Sequence, residues 1–583
     1  MENSVRHGSL VPDTAAFAGK LARRLQAIYA SSFSEGMVNR ILAITNRQFP
    51  ERPAWSEKDI VLITYGNSIQ TTHEKPLQTL YRFLLNRLAD TISCVHILPF
   101  FPFTSDDGFS VSDFMKVDPS LGSWEDFTAF TPKFGLMSDL VINHVSAEHS
   151  WFKNYLQNCS PGKDYFIGAE PEADYSKVVR PRSTSLFTRV ETVNGARDVW
   201  TTFSADQVDL DFSNPEVLIE MIRVMVFYIS QGVRIIRLDA IAFVWKKNGT
   251  SCLHLRETHE IVKLLRDISS FISPGTIILT ETNVPNKENW SYFGDDDEAH
   301  MVYQFSLPPL LLHALFSGNA NYLTDWATEI PAPRASQTFL NYTASHDGIG
   351  VRPLEGILPE TEIDRLIEGM IGFGGLVSRR TNPNGSLSPY EINISYFDAM
   401  KGNKQGVDHF QEARFLCSQA IMMSLQGIPA FYIHSLFATA NDYDGVNSTG
   451  RSRSINRRQL GEEELNSRLS NDTMHSRMFN ELLRLIGIRK QCSAFHPGCP
   501  QEILKLGEAL FAFTRYDQLT GEKIYCISNM TDQPVEIRAV LPEKKKGYDL
   551  ISSDRYTATD TILLSACQTR WIAEQDELEN QCN

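Results

Sequence analysis

Val233-Arg-Ile-Ile-Arg-Leu-Asp239 is an apolar run that ends in an acid, and it decides the fold of this chain. Its apolar residues fall on both faces of an extended strand, which is typical of a buried parallel strand covered by helices. Seven further short apolar runs are separated from it and from one another by longer helical stretches: residues 60–65, 95–100, 136–143, 276–281, 301–305, 338–343 and 428–433. Eight such runs with helical crossovers predict an α/β fold, the (β/α)8 TIM barrel, with a doubly wound open sheet as the alternative.

Two stretches between these runs, residues 144–213 and 348–411, are too long for simple crossovers. Because the loops after barrel strands build the active site, we predict that both are subdomains inserted over the catalytic face. Residues 1–55 have apolar positions at helical spacing and predict an N-terminal helical extension, whereas residues 491–583 alternate as in a small C-terminal antiparallel β domain. The barrel is assigned to residues 56–143, 214–347 and 412–490.

Charge and composition limit the class of partner. The 583 residues include 55 Lys and Arg against 70 Asp and Glu, a net charge of −15. Such a balance argues against a dedicated binder of nucleic acid or of an anionic membrane. The nine cysteines form no CxxC pair, which favours neither a disulfide framework nor a zinc site. Since the N-terminus lacks the layout of a signal peptide and no run reaches the roughly 20 apolar residues of a membrane span, we expect a cytoplasmic protein.

Three of the predicted strands end in acids: Asp239 in the fourth, Glu281 in the fifth and Asp347 just after the seventh. Side chains at these ends of barrel strands point into the active site. An isolated acid at the end of a strand is usually a helix cap or part of a loop ion pair. Three acids at the same end of a barrel fit glycosyl transfer with retention of the anomeric configuration. In that reaction one carboxylate attacks the anomeric carbon and a second, about 5–5.5 Å away, protonates the leaving oxygen.

Basic residues next to these acids support the same chemistry. Arg237, two residues before Asp239, would keep that carboxylate ionised, whereas Glu281 needs a raised pKa to act as an acid near neutrality. Asp, Glu and His at a barrel mouth also fit a divalent-metal site, and the spacing alone does not separate the two.

Several segments resemble the four motif regions of the α-amylase superfamily, glycoside hydrolase family 13, in that family's order. They are Asp139-Leu-Val-Ile-Asn-His144, Arg237-Leu-Asp-Ala240, Glu281 and His346-Asp347. Wider matches resemble the sucrose phosphorylases of that family, and they include Asp107-Gly-Phe109, Arg180-Pro-Arg182, Gln207-Val-Asp209 and His346-Asp-Gly-Ile-Gly350. The resemblance covers roughly residues 58–500.

This resemblance implies a retaining α-glucoside phosphorylase in which phosphate is a substrate and neither a cofactor nor a metal is needed. It implies that Asp239 is the nucleophile, Glu281 the general acid/base and Asp347 the stabiliser of the transition state. The implied glucose-binding residues are Asp107, Phe109, His144, Phe203, Gln207, Arg237, His346 and Arg453. The implied phosphate and acceptor residues are Arg180, Arg182, Phe243, Asn283, Tyr390 and Glu391.

The acceptor side departs from sucrose phosphorylases, which usually have Tyr, His and Gln where this chain has Phe243, Asn283 and Glu391. Together with the longer N-terminus, this resembles the phosphorylases of glucosylglycerate and glucosylglycerol, so we expect glycerate or glycerol as the acceptor, with fructose or its 6-phosphate still open. Glu391 would repel glycerate unless Arg379 or Arg380 compensates.

Two other functions stay open. One is an α-glucosidase or transglucosidase of the same family, and the other is a catalytically inactive carbohydrate-binding relative. The expected partners are small sugars and phosphate, not nucleic acid or membranes, and a homodimer is the assembly we consider.

Overall fold

The computed structural model describes residues 13–382, 385–470 and 472–576. Within them, eight parallel strands close a barrel in sequence order, because the first strand pairs with both the second and the eighth. The strands are β1 (Val61–Thr64), β2 (Cys94–Ile97), β3 (Gly135–Val141), β4 (Val233–Asp239), β5 (Ile277–Thr280), β6 (Met301–Tyr303), β7 (Thr338–Tyr342) and β8 (Ile428–Tyr432). Each overlaps one predicted run, so the (β/α)8 barrel is confirmed and the open sheet is wrong.

Burial explains why these segments are strands. Every residue of β4 is buried, including the charged Arg234, Arg237 and Asp239. Arg234, at the start of the strand, is neutralised by Asp59, whose carboxylate lies 2.8 Å from its Nη1. Arg237 and Asp239, two residues apart, share a face of the strand near its C-terminal end. The strand thus has a structural ion pair near its start and the predicted catalytic acid at its end.

The helices that connect and surround the barrel are α1 (Thr14–Tyr29), α2 (Glu35–Ile44), α3 (Pro76–Arg87), α4 (Trp124–Thr128), α5 (Ser150–Leu156), α6 (Pro215–Ser230), α7 (Arg256–Ile272), α8 (Asn286–Trp290), α9 (Leu307–Ser317), α10 (Asn321–Glu329), α11 (Glu360–Gly372), α12 (Tyr396–Ala399), α13 (Gln411–Ser424), α14 (Ile433–Leu436), α15 (Tyr443–Thr449), α16 (Glu462–Ser470) and α17 (Met474–Arg489). Helix α6, which leads to β4, begins at Asn214, whose side chain accepts the Glu216 N–H. None of the described helices is long and apolar enough to cross a membrane.

The predicted N-terminal extension forms α1 and α2. The buried side chains of α1 recur at helical spacing, and they are Phe17, Leu21, Leu25, Ile28 and Tyr29. Phe17 stacks on Phe271 of α7 with ring centres 3.8 Å apart. Arg24 of α1 pairs with Asp267 of α7 at 3.1 Å, so the extension is attached to the barrel by an apolar stripe and an ion pair.

Both long insertions follow the C-terminal end of a barrel strand, β3 or β7. The first contains two antiparallel pairs, His144–Ser146 with Gln207–Asp209 and Phe187–Thr192 with Gly195–Trp200. The second contains a three-stranded sheet of Ile349–Gly350, Leu387–Asn393 and Leu376–Thr381.

The C-terminal segment forms a six-stranded antiparallel sheet, as predicted. Its strands, in spatial order, are Gln501–Leu504, Leu510–Tyr516, Lys523–Asn529, Thr569–Asp576, Lys545–Asp549 and Arg555–Thr557. The division of the chain into domains stays a prediction.

Candidate active site

A cavity opens where the barrel strands end and the two insertions meet. Most residues predicted for the site line it. They are Phe109, His144, Arg182, Phe203, Gln207, Arg237, Asp239, Phe243, Glu281, Asn283, His346, Asp347, Tyr390, Glu391 and Arg453. Asp107 and Arg180 do not line this cavity, whereas Asp106 and Arg352 do.

Asp239 is held in a buried row of alternating charges. Arg237 donates through Nη1 to Asp239 Oδ1 at 2.8 Å and also donates to Asp139, which pairs with it in register on β3. His96 of β2 in turn lies 2.7 Å from the other oxygen of Asp139. Burial raises the pKa of Asp139, but His96 and Arg237 outweigh it and lower the pKa to about 2. Asp139 therefore stays ionised and anchors the guanidinium group beside Asp239.

Glu281 follows β5 and has fewer partners that favour its ionised form. The N–H of Ala240, a residue in the left-handed conformation directly after Asp239, donates to Glu281 Oε2 at 3.0 Å. Burial, followed by the charges of Asp239 and Asp347, raises the pKa of Glu281 to about 7 against the opposing charge of Arg237.

Asp239 and Glu281 differ in the hydrogen bonds that their carboxylates accept. Burial also raises the pKa of Asp239, but that carboxylate receives a direct hydrogen bond from Arg237. The proton that the pair retains near neutrality therefore belongs on Glu281, which leaves Asp239 ionised.

Asp347 lies among basic side chains. Arg453 Nη1 is 2.6 Å from its Oδ1, His346 Nε2 is 3.6 Å from its Oδ2 and Arg457 Nη2 is 4.0 Å from its Oδ1. Burial opposes ionisation, but Arg453, His346 and Arg457 outweigh it and hold the pKa of Asp347 well below its ordinary value. Asp347 is therefore a permanent negative charge in the cavity.

A flat apolar surface lies beside these acids. The ring of Phe109 stacks on that of His346 with centres 4.8 Å apart and planes 5° apart. Phe203 meets Phe243 edge to face at 5.5 Å. The Nδ1 atom of His346 is buried and has no hydrogen-bond partner within the described part of the chain, so a sugar hydroxyl can bind it.

The comparisons agree with this geometry. Residues 89–347 match the α-amylase catalytic domain family. The chain is 46% identical to the glucosylglycerate phosphorylase of Spirochaeta thermophila over 87% of this chain and 86% of that one. It is 41% identical to the glucosylglycerate phosphorylase of Escherichia coli over 95% of this chain and 99% of that one. This chain belongs to the α-glucoside phosphorylases of glycoside hydrolase family 13.

The fold of the phosphorylase has solved counterparts. The sucrose 6F-phosphate phosphorylase from Thermoanaerobacter thermosaccharolyticum superposes with a TM-score of 0.71 at 24% identity, over 82% of this chain and 95% of that one. That likeness shows the barrel fold alone.

The glucose site of the phosphorylase corrects one sequence prediction. Asp106 and Asp107 have positive φ values of 52° and 49°, so the turn directs the two side chains apart. Asp106 lines the cavity and accepts from Gln207 at 3.3 Å, whereas Asp107 binds Arg451 at 3.0 Å and Arg457. The residue predicted as Asp107 is therefore Asp106. The sequence shows Asp106 three residues before Phe109. It does not show the left-handed turn that separates the side chains of Asp106 and Asp107.

Of the predicted pair Arg180 and Arg182, only one arginine lines the cavity in the described structure. Arg182 lines the cavity, with its guanidinium 5.2 Å from the ring centre of Tyr390 and Nη1 3.8 Å from Glu391 Oε1. Arg180 is half-buried outside the cavity. The structure therefore brings one of the two arginines to the site.

Glu391 is neutralised, but not by the residues that the sequence suggested. Arg453 donates to both of its carboxylate oxygens, with Nε 3.0 Å from Oε2. Arg379 is exposed, and Arg380 is committed to Glu355 at 2.7 Å. The compensation expected from Arg379 or Arg380 therefore comes from Arg453 and Arg182.

Arg352 lines the cavity, and sequence reasoning missed it. It lies five residues after Asp347, at the start of the second insertion, and its side chain is only 11% exposed. Only its place directly after the His346-Asp347 motif could have indicated it.

Two side-chain oxygens beyond the end of β3, on Asn143 and Asp209, are satisfied by a lysine. Lys246 Nζ lies 2.7 Å from Asn143 Oδ1 and 2.7 Å from Asp209 Oδ2, so an ammonium group occupies these oxygens. The described residues contain no group of three or more His, Cys, Asp and Glu side chains that could hold a metal.

Proposed function

We propose that this phosphorylase takes glycerate as its acceptor and catalyses the reversible reaction of α-glucosylglycerate with phosphate to give α-D-glucose 1-phosphate and glycerate. The observation that carries this proposal is the set of arginines around Glu391 in the cavity. Glu391, the acid expected to repel glycerate, is paired with Arg453 and Arg182, and Arg352 adds a further cation. The relatives that are 46% and 41% identical are both named glucosylglycerate phosphorylase, which supports the same acceptor.

In the first displacement, Glu281 donates its proton to the glycosidic oxygen while Asp239 attacks the anomeric carbon. The bond from that carbon to oxygen breaks, glycerate leaves with the proton, and a β-glucosyl ester forms on Asp239. Asp347 stabilises the positive charge that develops on the sugar ring, because its own pKa is held low by Arg453 and His346.

In the second displacement, a phosphate oxygen attacks the anomeric carbon of the glucosyl ester, and the proton of that phosphate oxygen passes to Glu281. The bond to Asp239 breaks, so the enzyme recovers its starting protonation state. Two inversions at one carbon retain the α configuration. The predicted alternative of a glucosidase or transglucosidase differs in that its turnover does not need phosphate.

The absence of a metal requirement is part of the proposal. Lys246 satisfies the oxygens of Asn143 and Asp209, and the charges around Asp239 come from Arg237 and Asp139. We expect full activity after dialysis against EDTA, and a loss that added Ca²⁺ or Mg²⁺ restores would contradict this. A cytoplasmic location and a homodimer stay predictions.

A phosphorolysis screen tests the acceptor. Glucosylglycerate, glucosylglycerol, sucrose and sucrose 6-phosphate are each supplied with phosphate, and release of glucose 1-phosphate is measured. A hydrogen bond to a charged group is worth about 1.5–3 kcal/mol, so kcat/KM for glucosylglycerate should exceed that for neutral glucosylglycerol roughly 10-fold or more. A preference for sucrose or glucosylglycerol would overturn the proposal.

A further inference from the structure

A separate cavity lies at the end of the barrel opposite to the catalytic one. Its volume is about 370 Å³, which is within the range of small-molecule sites. Residues at or just before the starts of β1, β2, β3 and β4 line it, and they are Asp59, Ser93, Gly135 and Gly232. Because the barrel strands are parallel, this cavity lies at their N-terminal ends, whereas the catalytic acids lie at their C-terminal ends.

This cavity is basic, although the chain as a whole has a net charge of −15. Its charged lining residues are one acid, Asp59, and four bases, Arg52, Lys58, Lys133 and Arg234. Both carboxylate oxygens of Asp59 are already bound, Oδ1 by Arg234 Nη1 and Oδ2 by the N–H of Ser56, each at 2.8 Å. Lys133 pairs with the exposed Asp90 at 3.2 Å. Positive charge at this wall therefore exceeds what its own acid can offset.

Arg52 is the base that the chain leaves without a partner. Its Nε is buried with no hydrogen-bond partner in the described residues, and none of the acids described there forms an ion pair with it. Burial, followed by the charge of Arg234, lowers the pKa of Arg52. Its backbone is fixed, because the Arg52 N–H donates to the carbonyl of Pro274 at 2.7 Å. A half-buried cation without a counter-charge at a cavity wall indicates an anionic ligand.

Arg234 gives a second, independent observation on the same wall. Its side chain is only 8% exposed, and its Nη2 donates to the carbonyl of Pro53 at 3.1 Å while Nη1 binds Asp59. Its Nε, however, is buried and has no partner within the part of the chain that the structure describes. Two neighbouring guanidinium groups of this cavity thus retain unsatisfied donors.

The composition of the wall favours a phosphate group as the ligand. Two planar guanidinium groups and two ammonium groups suit a compact dianion that accepts several charge-assisted hydrogen bonds. We propose that Arg52, Lys58, Lys133 and Arg234 form a basal anion site that binds a phosphate group, either inorganic phosphate or a small phosphate ester. Arg234 lies five residues before Asp239 on β4, about 17 Å at about 3.3 Å per residue. An anion bound here therefore takes no part in glucosyl transfer.

Hydrogen exchange of the whole enzyme, followed by mass spectrometry, tests the basal anion site. Inorganic phosphate is added to the wild type and to R52Q, and exchange is measured in peptides covering residues 50–60 and 131–136. Because a bound anion links these two segments, exchange in both should slow several-fold in the wild type. R52Q should raise the half-saturating phosphate concentration roughly 10-fold or more, since it removes a charge-assisted contact. R52K, which keeps the charge but loses the planar fork, should lie between them.

Two further variants separate this effect from damage to the fold. R47Q removes an exposed arginine that does not line the cavity, and it should leave the half-saturating concentration unchanged. K58Q removes an exposed lysine of the cavity, so it reports on the site even if R52Q does not fold. We expect K58Q to raise the half-saturating concentration about threefold, because an exposed ion pair is worth less than a buried one.

A parallel series with glucose 1-phosphate identifies the source of the phosphate group. Slowing by inorganic phosphate assigns the free anion, and slowing by glucose 1-phosphate alone assigns an ester. Potassium chloride at the same ionic strength should not slow exchange. The site is wrong if neither phosphate compound slows exchange in the wild type, or if potassium chloride slows it equally. It is also wrong if the phosphate dependence is the same in R52Q and K58Q as in the wild type, since that effect would come from the catalytic cavity.

Discussion

Asp239 and Glu281 line one cavity, and their hydrogen-bond partners set their different roles. Arg237 donates to Asp239 at 2.8 Å, whereas in the described part of the chain Glu281 accepts from the backbone N–H of Ala240. The shared environment therefore leaves one acid ionised and the other protonated near neutrality. Sequence reasoning anticipated this division from the position of Arg237 alone, since residues two apart on a strand share a face.

Removing the proposed nucleophile should abolish turnover without unfolding the chain. D239N is nearly isosteric, so we expect kcat for glucosylglycerate to fall roughly 10⁴-fold while the far-UV circular dichroism spectrum is unchanged. Activity near that of the wild type would show that another residue attacks the sugar.

The two neighbouring acids Asp106 and Asp107 give a matched comparison. Asp106 lines the cavity, so D106N should lower kcat/KM for glucosylglycerate roughly 10- to 100-fold. Asp107 forms ion pairs outside it and its side chain is 35% exposed, so D107N should change kcat/KM by less than about threefold. The reverse order of the two losses would restore the original sequence assignment.

The pH dependence of the first displacement reports on Glu281. Its pKa is raised to about 7 chiefly by burial, and the reaction needs the protonated form. In a double displacement, kcat/KM for glucosylglycerate reflects only the first step, so ionisation of phosphate does not enter it. This parameter should fall about tenfold per pH unit above pH 7. The fall should be absent with α-glucosyl fluoride, whose leaving group needs no proton, and a fall of equal size with that donor would assign the ionisation to another group.

At the scale of elements, the barrel strands and the places of the two insertions could be predicted, but the internal structure of the insertions could not. All residues of β4 and of β8 are buried, which is why apolar residues occur on both faces of these strands and their positions were predictable. The second insertion owes its shape to the pairing of Leu376–Thr381 with Leu387–Asn393. Arg352 follows Ile349–Gly350, which pairs with Leu387–Asn393, so its place at the cavity depends on a long-range contact and was not readable from local pattern.

The N-terminal helix α1 is the element whose contribution is most directly measurable. Phe17 is 6% exposed and stacked on Phe271, so F17A should cost about 3 kcal/mol of local stability. We expect a lower melting temperature and faster hydrogen exchange in α1, with kcat at 25 °C within about twofold of the wild type. R23A, an exposed substitution on the same helix, serves as the control. Equal melting temperatures for the two variants would mean that α1 does not stabilise the barrel.

At the scale of the whole molecule, a net charge of −15 repels both proposed anionic substrates. In the cavity, four arginines (Arg182, Arg237, Arg352 and Arg453) lie among five acids (Asp106, Asp239, Glu281, Asp347 and Glu391), so much of the negative charge there is compensated locally. The overall charge predicts no polyanionic partner, and it carries no information about this cavity, since local side chains determine the potential there.

The choice of acceptor in the synthetic direction tests the central claim most directly. Initial rates of phosphate release from α-D-glucose 1-phosphate are measured with glycerate, glycerol and fructose at equal concentrations, and without any acceptor. The structure predicts a kcat/KM for glycerate roughly 10-fold or more above that for the two neutral acceptors, with little release in their absence. Equal or faster release with glycerol or fructose, or release at the same rate without an acceptor, would contradict it.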